Sequence, residues 1–240
     1  MFTHHGKSRT YSHNLKIASL LSFVAGIVNV AGFLAVKKLT TNVTGHFAFF
    51  VDEIFKLHFA ESTIFFLYIF AFFLGSFVSS VLIEIISRYN MRYVFVIPTL
   101  IESIILFSIG LFGYYLIETS PNTIAFSLLF AMGLQNSLVT RISDAIVRTT
   151  HLTGLFTDLG IELSQLFFYK SKEQQSTLTK TIKLRLTIIF FFFAGGIVGG
   201  VFYPPLGISV LLLPATLLLI GLFYDAVKFK IIMWKRNHYH

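Results

Sequence analysis

Apolar residues along this chain run in long stretches, rather than recurring on one helical face or alternating as in a half-buried strand. Six stretches approach the roughly 20 residues that a helix needs to cross a bilayer: 16–36, 62–87, 93–117, 123–141, 182–203 and 206–225. Two more, 43–59 and 152–169, are shorter and amphipathic. Asp52, Glu53 and Lys56 interrupt the first, and Asp158 and Glu162 interrupt the second. The pattern predicts an all-α fold, a polytopic transmembrane helix bundle. It would have six spanning helices plus two short re-entrant or interfacial helices.

The polar interruptions are written twice. Thr40-Thr41-Asn42-Val43-Thr44-Gly45-His46-Phe47 returns as Thr149-Thr150-His151-Leu152-Thr153-Gly154-Leu155-Phe156. Over the 14 aligned positions 40–53 and 149–162, six are identical, including Glu53 and Glu162. Gly26 and Asn29 match Gly133 and Asn136, two residues out of register with the motif. The run from Phe73 to Ser80 matches that from Phe193 to Gly200, and Ile109–Phe112 matches Ile220–Phe223. The order is the same in both halves. This points to an internal duplication, with repeat one at 16–117 and repeat two at 123–227.

Composition agrees with a membrane protein. Hydrophobic residues make up 55% of the 240, charged residues 12%, and the mean hydropathy is +0.77. A soluble domain would carry about 25% charged residues. With no Cys, disulfides, thiol chemistry and thiolate metal sites are excluded. The net charge of +8 reads as topology rather than nucleic-acid binding, because Lys and Arg gather in cytoplasmic loops. With six crossings and both termini inside, 16 of the 19 Lys and Arg lie inside. Only Lys37, Lys38 and Lys56 lie outside. With eight crossings, Arg88, Arg92, Arg141 and Arg148 move out and Lys56 moves in, leaving 13 inside and six outside. Six crossings fit the rule better.

Three crossings per half invert the second repeat relative to the first. The two Thr-Gly motifs then enter from opposite faces and meet near mid-depth. Residues 1–15 become a cytoplasmic N-terminal tail, 16–227 a single membrane domain and 228–240 a basic cytoplasmic tail. The run from Ile17 to Val36 is too long for a signal peptide and has no small-x-small cleavage pattern, so it is read as a retained helix.

Thr, Asn and Gly in the motif suit a binding site. Thr or Asn can cap free helix N–H groups, and Gly allows close backbone approach. A helix start also favours an anion or a polar oxygen. The same residues serve equally well for close helix packing. Asn29, Gln135 and Asn136 lie in apolar helices, where an unpaired amide costs a few kcal/mol. Each therefore lines a polar path or bonds between helices. The expected substrate-binding set is Asn29, Thr41, Thr44, Gly45, Gln135, Asn136, Arg141, Thr150, Thr153 and Gly154. Arg141 would attract an anion or hold a carboxylate.

Glu102 lies near mid-depth of the third crossing, four residues after Pro98, and is a candidate proton site. The plainer reading is a neutral acid bonded to a neighbouring helix, or a pair with Arg141. His46 and Glu53 have i,i+7 spacing, but two ligands are a weak case for a metal. A capping or solvent-facing His46 is the favoured reading, and no metal or cofactor is expected. The runs Gly75–Ser80 and Gly195–Gly200 have small-xxx-small spacing for close helix contact. No hydrolase elbow, Walker loop, zincin or dinucleotide motif is present, so no enzyme activity is expected.

Several of these pieces together resemble the bacterial YoaK-like multi-pass membrane family, a domain of unknown function. They are Ala25-Gly26-Ile27-Val28-Asn29-Val30-Ala31-Gly32-Phe33-Leu34, Val43-Thr44-Gly45-His46, Ala131-Met132-Gly133-Leu134-Gln135-Asn136 with Arg141, and Thr149-Thr150-His151-Leu152-Thr153-Gly154. The likeness runs from about residue 15 to 227. It implies a bacterial inner-membrane protein and supplies no substrate. The family often has Asp where this chain has Asn29, and Asn where it has His46. The expectation is a small-solute transporter with a site between the two Thr-Gly motifs. Its partners would be the bilayer and a small solute, without nucleic acid, and homo-oligomers are compatible with it. A channel, or a scaffold or sensor whose motifs only pack helices, are the alternatives.

Overall fold

The computed structural model describes residues 10–90, 93–143 and 147–224. Residues 1–9 of the predicted N-terminal tail and all of 228–240 lie outside the described residues. The described elements are helical: α1 (Tyr11–Val36), α2 (Thr44–Phe55), α3 (Phe59–Tyr89), α4 (Val96–Thr119), α5 (Pro121–Ile142), α6 (Leu152–Phe168) and α7 (Lys172–Leu206). A 3-10 turn, Gly207–Leu211, leads into a last helix over 212–224, α8.

Local chemistry sets several of these limits. Pro121 opens α5 at the position where a missing N–H costs nothing. Ser171 caps α7 by accepting from the Gln174 amide. This cap starts α7 ten residues before the predicted segment 182–203, and its polar first turns precede the apolar run. Lys37 ends α1 in the left-handed region, at φ 54°.

Five stretches are long and apolar enough to cross a membrane: α1, α3, α4, α5 and the continuous run Lys172–Tyr224. That last run has 53 residues, and a straight helix of that length would measure about 80 Å. It is not straight. Pro204 and Pro205 withdraw two backbone donors, and Gly207 takes φ +56°. The chain folds back there, so Leu217 and Tyr224 lie beside Phe191. The run thus contains two of the predicted segments, joined by a sharp turn.

The direction of each helix can be read from its contacts. Phe23 meets Gly195 and Ile27 meets Gly199, so α1 and α7 run parallel. Tyr68 donates to Asn122, Ser76 donates to the Gly133 carbonyl, and Glu84 pairs with Arg141, so α3 and α5 run parallel. Gln135 Nε2 donates to the Leu21 carbonyl while Gly32 meets Leu128, so α1 and α5 run antiparallel. Gly113 meets Ile208, and Ser103 donates to the Ala215 carbonyl, so α4 and α8 run antiparallel.

Two glycine crossings hold the parallel pairs. A Cβ on Gly26 would overlap the Phe192 carbonyl, and one on Gly195 the Phe23 carbonyl. In the other pair, a Cβ on Gly133 would overlap the Phe72 carbonyl, and one on Gly75 the Phe130 carbonyl. Gly26 matches Gly133 in the duplication, and Gly75 matches Gly195. The two crossings are therefore one device used twice, each joining a helix of one half to a helix of the other. Without side chains between them the backbones approach closely enough for dispersion and weak polar contacts to hold the helices.

α1 and α5 form the inner pair: 61% of the apolar window of each is buried, against 17% for α3. The outer face of α3 presents Phe66, Phe70, Phe73 and Phe77, all exposed. Such a surface suits lipid tails rather than water.

Candidate functional site

The loop after α1 does not stay at the helix end. It folds back so that Thr40 Oγ1 donates to the Val28 carbonyl at 3.1 Å, and Thr41 Oγ1 donates to Asn29 Oδ1 at 2.6 Å. Asn29 lies seven residues before the end of α1, about 10 Å along the axis. The second half repeats the arrangement. Gln135 Nε2 donates to Thr149 Oγ1 at 3.1 Å, and Thr150 Oγ1 donates to Asn136 Oδ1 at 2.9 Å. α2 and α6 thus both begin inside the bundle, with 12 and 17 residues respectively.

Both starts open on one central cavity of about 660 Å³. Asn29 from α1, Thr41, Asn42, Val43 and Thr44 line it on one side. Thr150, His151, Leu152, Thr153 and Gly154 line it on the other, with Phe72 of α3 and Phe192 of α7 between them. No Asp, Glu, Lys or Arg is among the described lining residues. The hydroxyls of Thr44 and Thr153 and the Asn29 amide nitrogen make no hydrogen bond among the described residues. These groups are therefore free for a ligand. Of the expected Thr or Asn caps, none comes from Thr, and the cap positions Val43 and His151 make no side-chain cap bond, but Asn42 Oδ1 accepts from the Gly45 amide of α2 at 3.4 Å. The hydroxyls that capping would use are spent on Asn29 and Asn136 instead.

The remaining expected residues fall into three groups. Asn136 and Gln135 stand behind the lining: Asn136 holds Thr150 and also donates to the Met132 carbonyl at 2.9 Å, and Gln135 is fully buried. Gly45 packs on Leu39, where a Cβ would overlap that side chain. Arg141 stands apart, at the exposed end of α5, and pairs with Glu84 rather than with Glu102. Glu102 is fully buried on α4, with neither carboxyl oxygen bonded among the described residues.

His46 departs from the sequence reading. It is fully buried rather than capping or facing solvent. Its Nε2 lies 2.5 Å from the Leu39 carbonyl oxygen, and its ring centroid 4.9 Å from Tyr68 and 6.0 Å from Phe65. The carbonyl offsets the cost of burying the ring N–H. Glu53 is not near it but pairs with His58 and Lys56, whose bonds hold its carboxyl below the usual range. No group of three His, Cys, Asp or Glu that could hold a metal occurs among the described residues.

A second cavity of about 340 Å³ adjoins the first and shares His151 and Gly154 with it. Arg148, Leu155, Asp158, Thr181, Leu184 and Arg185 complete its walls. Arg185 forms a fork with Glu162, at 2.8 and 3.0 Å, and also meets Asp158 at 2.9 Å.

Sequence reasoning missed Phe72, Phe192, Asn42, Val43, His151 and Leu152 in the lining. A signal was there for the two rings: the matched runs beginning at Phe73 and Phe193 extend one residue back to an identical Phe72 and Phe192.

The fold and these cavities define a helical, membrane-type protein with a polar interior between two copies of one motif. The chain belongs to the family described as protein of unknown function (DUF1275), whose model matches residues 17–224. No curated protein and no solved structure matches it.

Proposed function

We propose that this protein moves a small polar solute across a bacterial inner membrane, through the central cavity. The chain would cross six times, with both termini cytoplasmic, and its halves would form an inverted 3+3 repeat. One observation carries the reading: both copies of the duplicated motif line a single cavity, and the helices that hold them, α1 and α5, run antiparallel. Many transporters place their site between inverted repeats, at broken or re-entrant helices. Non-helical backbone at such depth persists only where protein or a watery cavity surrounds it.

Two features weigh against a scaffold whose motifs only pack helices. Thr44 and Thr153 carry free hydroxyls into the cavity, and Gly154 has no atom within 4 Å of where its Cβ would be. A packing device would bury and satisfy them. Asn29 offers the donor amide, Thr44 and Thr153 donate or accept, and Asn136 positions Thr150. The lining holds no Asp, Glu, Lys or Arg, so it favours a solute that bonds to hydroxyl and amide groups.

The test is a screen of small solutes for thermal stabilisation of the detergent-purified protein, followed by uptake into proteoliposomes. Replacing Asn29 by Ala should weaken binding of a hit about fivefold, the worth of one hydrogen bond near 1 kcal/mol. Uptake unaffected by Asn29→Ala, Thr44→Ala and Thr153→Ala together would remove the cavity from the mechanism.

A further inference from the structure

We infer that the second cavity is the access route to the central site, and that the matching place in the other half is shut by an aromatic plug built on His46. The solute would then reach the site only from the α6 side in this conformation. The duplication permits a position-by-position comparison. His151, Gly154, Leu155 and Asp158 match Asn42, Gly45, His46 and Phe49. Extending the matched Gly75 and Gly195 runs pairs Arg185 with Phe65, and the motif pairs Arg148 with Leu39.

Around α6 these positions surround open space of about 340 Å³ that shares His151 and Gly154 with the central cavity. A Cβ on Gly154 would meet nothing within 4 Å. Around α2 the space beside Gly45 is filled, although Asn42 still lines the central cavity and Phe49 stays 47% exposed. Leu39 presses on Gly45, and His46 bonds the Leu39 carbonyl at 2.5 Å. Phe49 stacks on Phe65 at 5.3 Å, and Tyr68 closes the cluster against both His46 and Phe65. The inner frame barely differs: the Thr41–Asn29 and Thr150–Asn136 bonds are 2.6 and 2.9 Å. What separates the halves is therefore the layer outside that frame, which surrounds a charged cavity around α6 and packs aromatic rings around α2. A transport site needs two such layers that do not open together, because a site open to both faces at once is a channel.

The inference uses the cavity of the proposed function but requires no solute, so it can fail or hold independently of uptake. The chain has no Cys, so single-Cys variants report cleanly. Asn42→Cys and His151→Cys would be probed with a membrane-impermeant maleimide applied to either face of sealed vesicles. Leu57→Cys on the α2–α3 turn marks the α2 side, and Lys170→Cys marks the α6 side. Both cavity cysteines should react from the α6 side, at least tenfold faster than from the α2 side. This includes Asn42→Cys, although it belongs to the α2 motif. Adding His46→Ala, or Phe65→Ala if that variant does not fold, should make Asn42→Cys reactive from the α2 side. Reaction of Asn42→Cys from the α2 side with His46 intact would overturn the inference. So would failure of both to react from the α6 side.

Discussion

Thr41 and Thr150 each give a hydroxyl proton to an asparagine on the preceding helix, at 2.6 and 2.9 Å. The loops differ in length by two residues, yet the bond is the same. Equal geometry implies equal worth: Thr41→Val and Thr150→Val should each lower stability by about 0.6 kcal/mol, a typical membrane hydrogen bond. Thermal melting in one detergent would check it, and a loss confined to one half would deny the equivalence. Glu102 is a different case, since its carboxyl is buried with no bond among the described residues. A charge there would be unsolvated, so an uncharged side chain of the same shape should pack equally well. Glu102→Gln should then melt with the parent protein, while Glu102→Ala should lose about 2 kcal/mol to the cavity it leaves. A large loss in Glu102→Gln would show instead that the acid group itself is needed.

Among elements, the glycine crossings set how closely the halves approach. At Gly26, Gly75, Gly133 and Gly195 a Cβ would overlap a backbone carbonyl, which cannot move aside as a side chain can. Gly75→Ala and Gly133→Ala should each cost about 1–3 kcal/mol through overpacking, whereas Gly154→Ala should fold normally, because its surroundings are open. Yield and melting temperature of the three variants would decide. The small-residue runs were legible in the sequence, as were the apolar stretches and the two short amphipathic ones. Which helix meets which was not, because that depends on contacts between residues as distant as Gly26 and Phe192. His46 shows the same limit. Its motif pointed to solvent, but Leu39, Phe65 and Tyr68 bury it, and two of these come from another helix. α7 was legible only in its apolar part, because its first turns are polar and rest on the Ser171 cap. The cavity lining was half legible: the Thr, Asn29 and Gly154 positions stood out as polar interruptions, while Phe72 and Phe192 were hidden among 29 phenylalanines.

For the whole molecule, the proposed inversion turns on whether α2 and α6 cross the membrane. α3 provides the measurement, because it has 31 residues, about 46 Å of helix, and is enough to traverse the bilayer alone. Glu61 stands in its first turn and Arg88 in its last. If α2 returns to the face where α1 ends, Glu61 lies on the side opposite the N-terminus and Arg88 on the same side. If α2 crosses, both assignments reverse. Antiparallel packing of α1 on α5, with α5 parallel to α3, favours the first arrangement. Accordingly, Glu61→Cys should react with an impermeant reagent from the outer face of intact cells, and Arg88→Cys only after the membrane is opened. The reverse pattern would make the halves parallel repeats, and the two Thr-Gly motifs would no longer approach one site from opposite faces.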